Sequence, residues 1–198
     1  MTMQHARLFL AFELDAEVRR RLGAAITAMQ RVLPPARWCK PDALHITLMF
    51  FGTLPLTSVR EIDLAVQSVS EGQAPFACEV KGMGGFPSLE RPRVLWAGIG
   101  EGAAPLTSCA TAVMAACAAC GFGREERGFV PHITLARLRQ RKVVRSETLQ
   151  RAVPDAHDKS FGITDVNRIT LFSSELTASG PRYAIVATWS FGAGRAEQ

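Results

Sequence analysis

Two stretches of the chain alternate in the same way. In Leu44-His45-Ile46-Thr47-Leu48, and again in Pro131-His132-Ile133-Thr134-Leu135, polar and apolar residues take turns, and the tetrapeptide His-Ile-Thr-Leu is repeated without change. Side chains on a β-strand alternate between faces, so His45 and Thr47 project one way and Ile46 and Leu48 the other. The same holds for His132 and Thr134 beside Ile133 and Leu135. Each copy predicts a strand with one apolar face and, on the other, an imidazole and a hydroxyl about 6–7 Å apart. The histidines stand 87 residues apart in a chain of 198, which predicts two similar lobes, each lending one strand to a shared cleft.

Around these strands the hydrophobic period switches repeatedly between two and 3.6 residues. Arg7 to Leu14 reads as a strand, and Asp15 as the N-cap of a helix reaching about Leu33, with Val18, Leu22, Ile26 and Met29 at helical spacing and Pro34-Pro35 as its stop. Arg37 to Lys40 predicts a short strand that leads through Pro41-Asp42 into the first motif strand, which Phe50-Phe51-Gly52 closes. Thr57 or Ser58 caps a second helix carrying Val59, Ile62, Val66 and Val69, and Gly72 ends it. Phe76, Cys78 and Val80 alternate as a half-buried strand that the run Gly82 to Pro87 breaks, and Val94 to Ile99 is another strand. An Ala-rich helix from Leu106 to Cys120, ended by Gly121, precedes the second motif strand, Phe129 to Leu138. Ser146 to Val153 is a short helix, and strands from Ile163 to Ser174 and from Tyr183 to Phe191 flank a Ser179-Gly180-Pro181 turn.

The resulting order, βαββ, αββ, αβ, ββ, is α+β and not a doubly wound parallel sheet. No linker long enough to part independent domains interrupts it, so residues 1–198 are expected to form one domain of two lobes. Composition adds little to that picture: 47% hydrophobic and 21% charged residues are ordinary for a globular protein, and a net charge of +5 weakly favours phosphate-bearing partners. Five cysteines without framework spacing fit a reducing cytoplasm, and the lone Cys117-Ala-Ala-Cys120 pair falls near the end of a helix, where thiolates are not favoured. All are expected to be small core residues. Leu8 to Phe12 is too short to span a membrane, and neither a Walker-type loop nor G-x-G-x-x-G is present.

Two histidines facing one cleft suit acid–base chemistry, because an unperturbed imidazole titrates near neutral pH, leaving one ring free to take a proton while the other gives one. In-line attack on a phosphodiester needs base and acid on opposite sides of phosphorus, which strands from two lobes provide. Thr47 and Thr134 can then donate hydrogen bonds to the non-bridging oxygens as charge builds there. No Asp or Glu accompanies the histidines at metal-ligand spacing. His5, near the terminus, and His157, in a polar loop, are read as incidental.

The chain resembles the 2H phosphoesterases, named for two H-x-T-x motifs, and within them the RNA 2′,3′-cyclic phosphodiesterases first described as 2′-5′ RNA ligases. The likeness runs through Arg7-Leu8-Phe9, Arg37-Trp38, the first motif with Phe51-Gly52, Phe86-Pro87-Ser88, Arg91-Pro92-Arg93-Val94-Leu95-Trp96, the second motif continued through Ala136-Arg137, and the stretch from Ser174-Glu175-Leu176 to Tyr183. It implies a two-lobed, pseudo-symmetric α+β fold, antiparallel sheets flanking a central cleft with helices outside, and hydrolysis of a 2′,3′-cyclic phosphate to a 2′-phosphate with no metal or other cofactor. By that likeness His45 is the general acid and His132 the general base, an order that the residues alone leave open.

Arg137 stands five residues beyond His132, so strict alternation turns it away from the site; a bulge or twist would bring it to the phosphate. A site role and a solvated one both fit; the resemblance implies an Arg beside the second motif, and Arg137 is a substrate-binding candidate with Thr47 and Thr134. Phe50 and Phe51 suit either a base-stacking surface, as single-stranded RNA recognition often uses, or the core, and Phe50 is retained as a substrate-binding candidate. The run Arg137, Arg139, Arg141, Lys142, Arg145 suits either an RNA backbone or a solvated face. The expected partner is RNA ending in a 2′,3′-cyclic phosphate, tRNA fragments included, met by a cytoplasmic monomer with no membrane association. Two competing functions are 2′-5′ ligation, the reverse reaction at the same site, and a non-catalytic module that binds RNA ends.

Overall fold

A computed structural model of the chain describes residues 4–33, 35–89, 91–123, 128–138, 146–177 and 180–192. The elements follow in the order β1 (His5–Glu13), α1 (Ala16–Gln30), β2 (Ala36–Trp38), β3 (His45–Pro55), α2 (Val59–Ser70), β4 (Phe76–Phe86), β5 (Val94–Ile99), α3 (Ala103–Ala119), β6 (His132–Leu138), α4 (Ser146–Ala152), β7 (Ser160–Val166), β8 (Arg168–Thr177) and β9 (Gly180–Ser190). The basic positions Arg139, Arg141, Lys142 and Arg145 lie outside the described residues.

The strands form one antiparallel sheet in the order β7-β4-β5-β6-β3-β1-β8-β9, with the short β2 lying against β6. The two antiparallel halves expected from the sequence run together. Four strands, β9-β8-β1-β3, carry the first motif, and four more, β7-β4-β5-β6, carry the second. The halves meet where Ile46 of β3 faces Ile133 of β6. Each motif strand has as its other neighbour the strand that leads into a long helix: β1 precedes α1 and pairs β3, while β5 precedes α3 and pairs β6.

One face of the sheet is apolar because the alternation makes it so. Leu8, Leu10, Phe12, Ile46, Leu48, Leu95, Ala97, Ile133 and Leu135 are buried in one cluster with Leu22 and Met29 of α1, Ile62 and Val66 of α2, and Leu106 and Val113 of α3. Burial of each of these side chains larger than alanine contributes roughly 1.5–3 kcal/mol. The opposite face carries His45, Thr47, His132 and Thr134, whose neighbours in sequence point into that cluster.

The stretch from Ile163 to Ser174 is expected as a single strand, yet the chain turns at Asn167 and splits it into β7 and β8. β7 is one edge of the sheet, and five strands separate it from β8. One linking residue reaches only about 7 Å, whereas five intervening strands of a flat sheet would put these two about 29 Å apart. The sheet is therefore curled, bringing the end of β7 back towards β1. Asp15, just after β1, closes this junction: its backbone N–H donates to Thr164 Oγ1 at 2.9 Å and its carboxylate accepts the N–H of Asp165 at 3.1 Å. This tertiary bond also explains why Asp15, though it precedes α1, makes no side-chain cap to it.

Other expectations need correction. The motif strand β3 is not closed at Gly52 but runs on to Pro55, the chain passing a bulge where Gly52 takes φ +78. The run Gly82 to Phe86 does not break β4; it is part of it. Its glycines are there for close approach, since a Cβ at Gly84 would run into the indole of Trp96. Ser58 makes no side-chain cap to α2, α3 starts earlier than expected, and His5 opens β1 opposite Pro55. Cys78, Cys109 and Cys117 are buried as expected, with burial pushing their thiols up to about 11, but Cys120 is exposed.

Candidate active site

The antiparallel register through Ile46 and Ile133 sets the site. It brings His45 alongside Thr134 and Thr47 alongside His132, so each imidazole faces the hydroxyl of the other motif. The two histidines become diagonal neighbours, whose backbones in such a ladder lie about 7–8 Å apart.

Both rings are held identically. His45 Nδ1 lies 2.8 Å from the carbonyl oxygen of Ala43, and His132 Nδ1 lies 2.8 Å from that of Val130, in each case two residues back. A carbonyl only accepts, so Nδ1 carries the proton in both and Nε2 is left to exchange protons with a ligand.

The repeat goes beyond the tetrapeptide. From the histidine onward the two strands share one burial sequence: half-buried, buried, half-buried, buried, buried, exposed. The double buried step is a β-bulge in each case. The pairing of β1 shifts between Leu10–Met49 and Ala11–Thr47, leaving Leu48 extra, and that of β5 shifts between Leu95–Ala136 and Trp96–Thr134, leaving Leu135 extra. The bulge turns the following side chain back to the histidine face. Phe50 and Arg137 are thus equivalent, and both lie on the face that carries the histidines. Strict alternation turns Arg137 away, and this bulge is what returns it to the histidine face.

Arg137 is close enough that its charge, together with burial and the charge on His132, lowers the pKa of His45; burial is the leading cause, and the bond to Ala43 opposes it. Phe50 is 51% exposed, with the guanidinium of Arg7 5.1 Å from its ring centroid and Phe9 at 6.5 Å. Phe51 instead turns inward against Phe122 at 5.2 Å, so only the first of the two phenylalanines faces the site.

Aromatic side chains that the sequence analysis gave no role wall both imidazoles. Phe9 lies 4.9 Å from His45, Tyr183 meets its edge at 5.4 Å, and Phe172 follows at 6.4 Å. Burial raises the Tyr183 phenol above its ordinary range, with Arg137 and Arg7 opposing. His132 meets Phe86 edge-on at 5.0 Å, and Phe86 in turn packs on Trp96 at 5.3 Å. Phe9, Tyr183, Phe86 and Trp96 all fall in the stretches that carry the family likeness, which was the available signal. Among the described residues no group of three or more His, Cys, Asp or Glu side chains is arranged to hold a metal ion. No described helix is long and apolar enough to cross a membrane.

Comparison with known proteins agrees with this architecture. Residues 15–177 match the model of the 2′-5′ RNA ligase superfamily. An RNA 2′,3′-cyclic phosphodiesterase from Aquifex aeolicus is 36% identical over 157 residues, 79% of this chain and 82% of its own length. Among solved structures, Escherichia coli LigT complexed with 3′-AMP superposes with a TM-score of 0.74 at 25% identity, covering 95% of this chain and 99% of that one. A Thermus thermophilus protein superposes with a TM-score of 0.75 at 28% identity, covering 94% of this chain and 98% of that one. The chain belongs to the 2′-5′ RNA ligase superfamily.

Proposed function

We infer that the protein is an RNA 2′,3′-cyclic phosphodiesterase, opening the cyclic phosphate at an RNA 3′ end to leave a 2′-phosphate. The observation that carries this reading is the pair of identically tethered imidazoles, each with Nε2 free and each beside the other motif's threonine. Relatives named for that activity, at 36% and 29% identity over most of the chain, support it.

In the reaction water attacks phosphorus on the side away from the 3′ oxygen. Nε2 of His132 takes the proton of the attacking water, the new P–O bond forms, the bond from phosphorus to O3′ breaks, and Nε2 of His45 gives its proton to O3′. Thr47 and Thr134 hydroxyls donate to the non-bridging oxygens, and Arg137 neutralises their charge. His45 holds its proton loosely in the free protein, which makes it a strong acid once loaded; the anionic phosphodiester supplies the charge that loads it. No step requires a metal. Phe50 offers its exposed ring to the terminal base.

The two halves share one site and act as a single unit of residues 1–198. A monomer suffices, since both histidines come from one chain. RNA is the substrate class, tRNA fragments with cyclic ends among its members, and five free thiols accord with a cytoplasmic setting. The family's other label gives a second reading, ligation through a 2′-5′ bond, as the same steps in reverse. Product analysis decides between them. An oligoribonucleotide with a 2′,3′-cyclic phosphate, offered together with RNA bearing a 5′-hydroxyl, is expected to yield the 2′-phosphate; a joined product in its place favours ligation, and tight binding without turnover favours an RNA-end binding module.

A further inference from the structure

The strand β2 is only three residues long, and its position is informative. It lies against β6 immediately beyond the bulge, with Trp38 opposite Ala136, Arg37 opposite Arg137 and Ala36 opposite Leu138, and the N–H of Cys39 donates to Leu135 O at 2.9 Å. Ala36 and Trp38 pack on the core, so Arg37 points to the other face, the one that carries the histidines. Its cross-strand partner there is Arg137.

Two guanidinium groups placed directly opposite each other on one face repel. Ordinarily a carboxylate separates such a pair. Among the described residues the ion pairs are Glu17 with Arg20 and Arg21, and Glu13 with Arg168; neither Arg37 nor Arg137 has one. Both side chains are exposed. An arrangement that is unfavourable when empty becomes favourable around an anion, and two planar forks are well matched to phosphate oxygens. The pair continues the line of the site, because Arg137 is the next outward-facing residue after Thr134 once the bulge is passed.

In the cyclic end of an RNA chain the phosphate nearest the reacting one is the diester on the 5′ side of the terminal nucleotide. We propose that Arg37, facing Arg137, builds a second phosphate subsite that holds this 5′ diester, so that the site prefers the end of a polynucleotide to a free cyclic mononucleotide. The inference rests on the phosphodiesterase reading above. Arg37 is here a specificity-determining residue and takes no part in proton transfer.

The test compares kcat/KM on three substrates: a nucleoside 2′,3′-cyclic phosphate, the dinucleotide that ends in it, and the same dinucleotide with a neutral methylphosphonate linkage. For the wild-type protein the charged dinucleotide is expected to be at least about ten-fold better than the other two, the range of one charge-assisted hydrogen bond. Arg37→Gln should remove that advantage while leaving the mononucleotide rate unchanged, and Arg37→Lys should restore part of it. The dependence of log kcat/KM on log salt for the dinucleotide should flatten by about 0.7 in Arg37→Gln. Equal losses on all three substrates, or no loss on any, would overturn the subsite while the phosphodiesterase reading stands. A wild-type protein that turns over none of the three would overturn that reading and the subsite together.

Discussion

Ile46 and Ile133 face one another across β3 and β6, both fully buried, and they are the residues through which the two halves of the sheet pair. The neighbours of these two isoleucines are the four polar side chains of the site, so their packing sets the register of the histidines. Ile133→Ala is expected to cost roughly 2–5 kcal/mol of stability and Ile133→Val roughly 0.5–1.5. Urea unfolding measures both. The alanine variant should also lose turnover while still folded, because the rings are aligned through this contact; full activity in a protein destabilised to that extent would show that the halves are aligned by other means.

The two imidazoles differ in environment although their tethers are the same. Burial, the charge on His132 and the charge on Arg137 all lower His45. If His45 acts as the acid, kcat/KM falls as pH rises through its depressed pKa, and this alkaline limb begins below the ordinary imidazole range. Bound phosphodiester favours the charged ring, so the limb in kcat should lie at higher pH than that in kcat/KM. Arg137→Gln removes one depressing charge and should move the kcat/KM limb upward as well as raising KM. A rate that rises with pH through the His45 pKa in His132→Asn would instead assign His45 as the base.

Phe50 and Arg137 occupy equivalent places after equivalent bulges, one aromatic and one cationic. In the proposed reaction that difference between otherwise matched halves sets the direction of the substrate, with the terminal base on Phe50. Phe50→Ala should weaken binding of a cyclic-phosphate oligonucleotide by about 1–3 kcal/mol, the worth of stacking one base, with little change in kcat. Phe50→Trp should retain affinity. Inhibition constants of the 2′-phosphate product report this without interference from the chemical step.

Gly84 faces the ring of Trp96, which packs on Phe86, which in turn meets His132. Gly84→Ala forces the indole to move, an overpacking change worth about 1–3 kcal/mol. Near-ultraviolet circular dichroism should show the altered tryptophan environment, and kcat should drop because the displaced Phe86 ring no longer walls His132. A variant with wild-type stability and rate would mean that the indole has room to move.

Much of this was legible in the residues. The motif strands were plain, because two-residue alternation with a buried isoleucine leaves the histidine and threonine only one face to share. A bulge is the condition on which Arg137 reaches the site, and its place is marked in the sequence: Leu48-Met49 and Leu135-Ala136 put two apolar residues in succession at the same point in both copies. Strict alternation alone turns Arg137 away, and the bulge that sequence reasoning required for its site role is found at Leu135-Ala136. The break at Asn167 has a weak local signal, the consecutive polar pair Asn167-Arg168, and it is the curl of the sheet that demands a turn there. The glycines of β4 were misleading, because a glycine that admits a neighbouring indole looks the same in sequence as one that ends a strand. Arg37 and the aromatic walls depend on which strands become neighbours, and local pattern carries no information about that.

The central claim is that His45 and His132 together perform the chemistry. The measurement that tests it most directly is single-turnover hydrolysis, in excess EDTA, of an oligoribonucleotide ending in a 2′,3′-cyclic phosphate, by the wild-type protein and by His45→Ala and His132→Ala. The wild type should yield the 2′-phosphate, and each variant should be slower by about 10²- to 10⁴-fold while remaining folded. Full activity in either variant, or no product from folded wild-type protein, would contradict the two-histidine account.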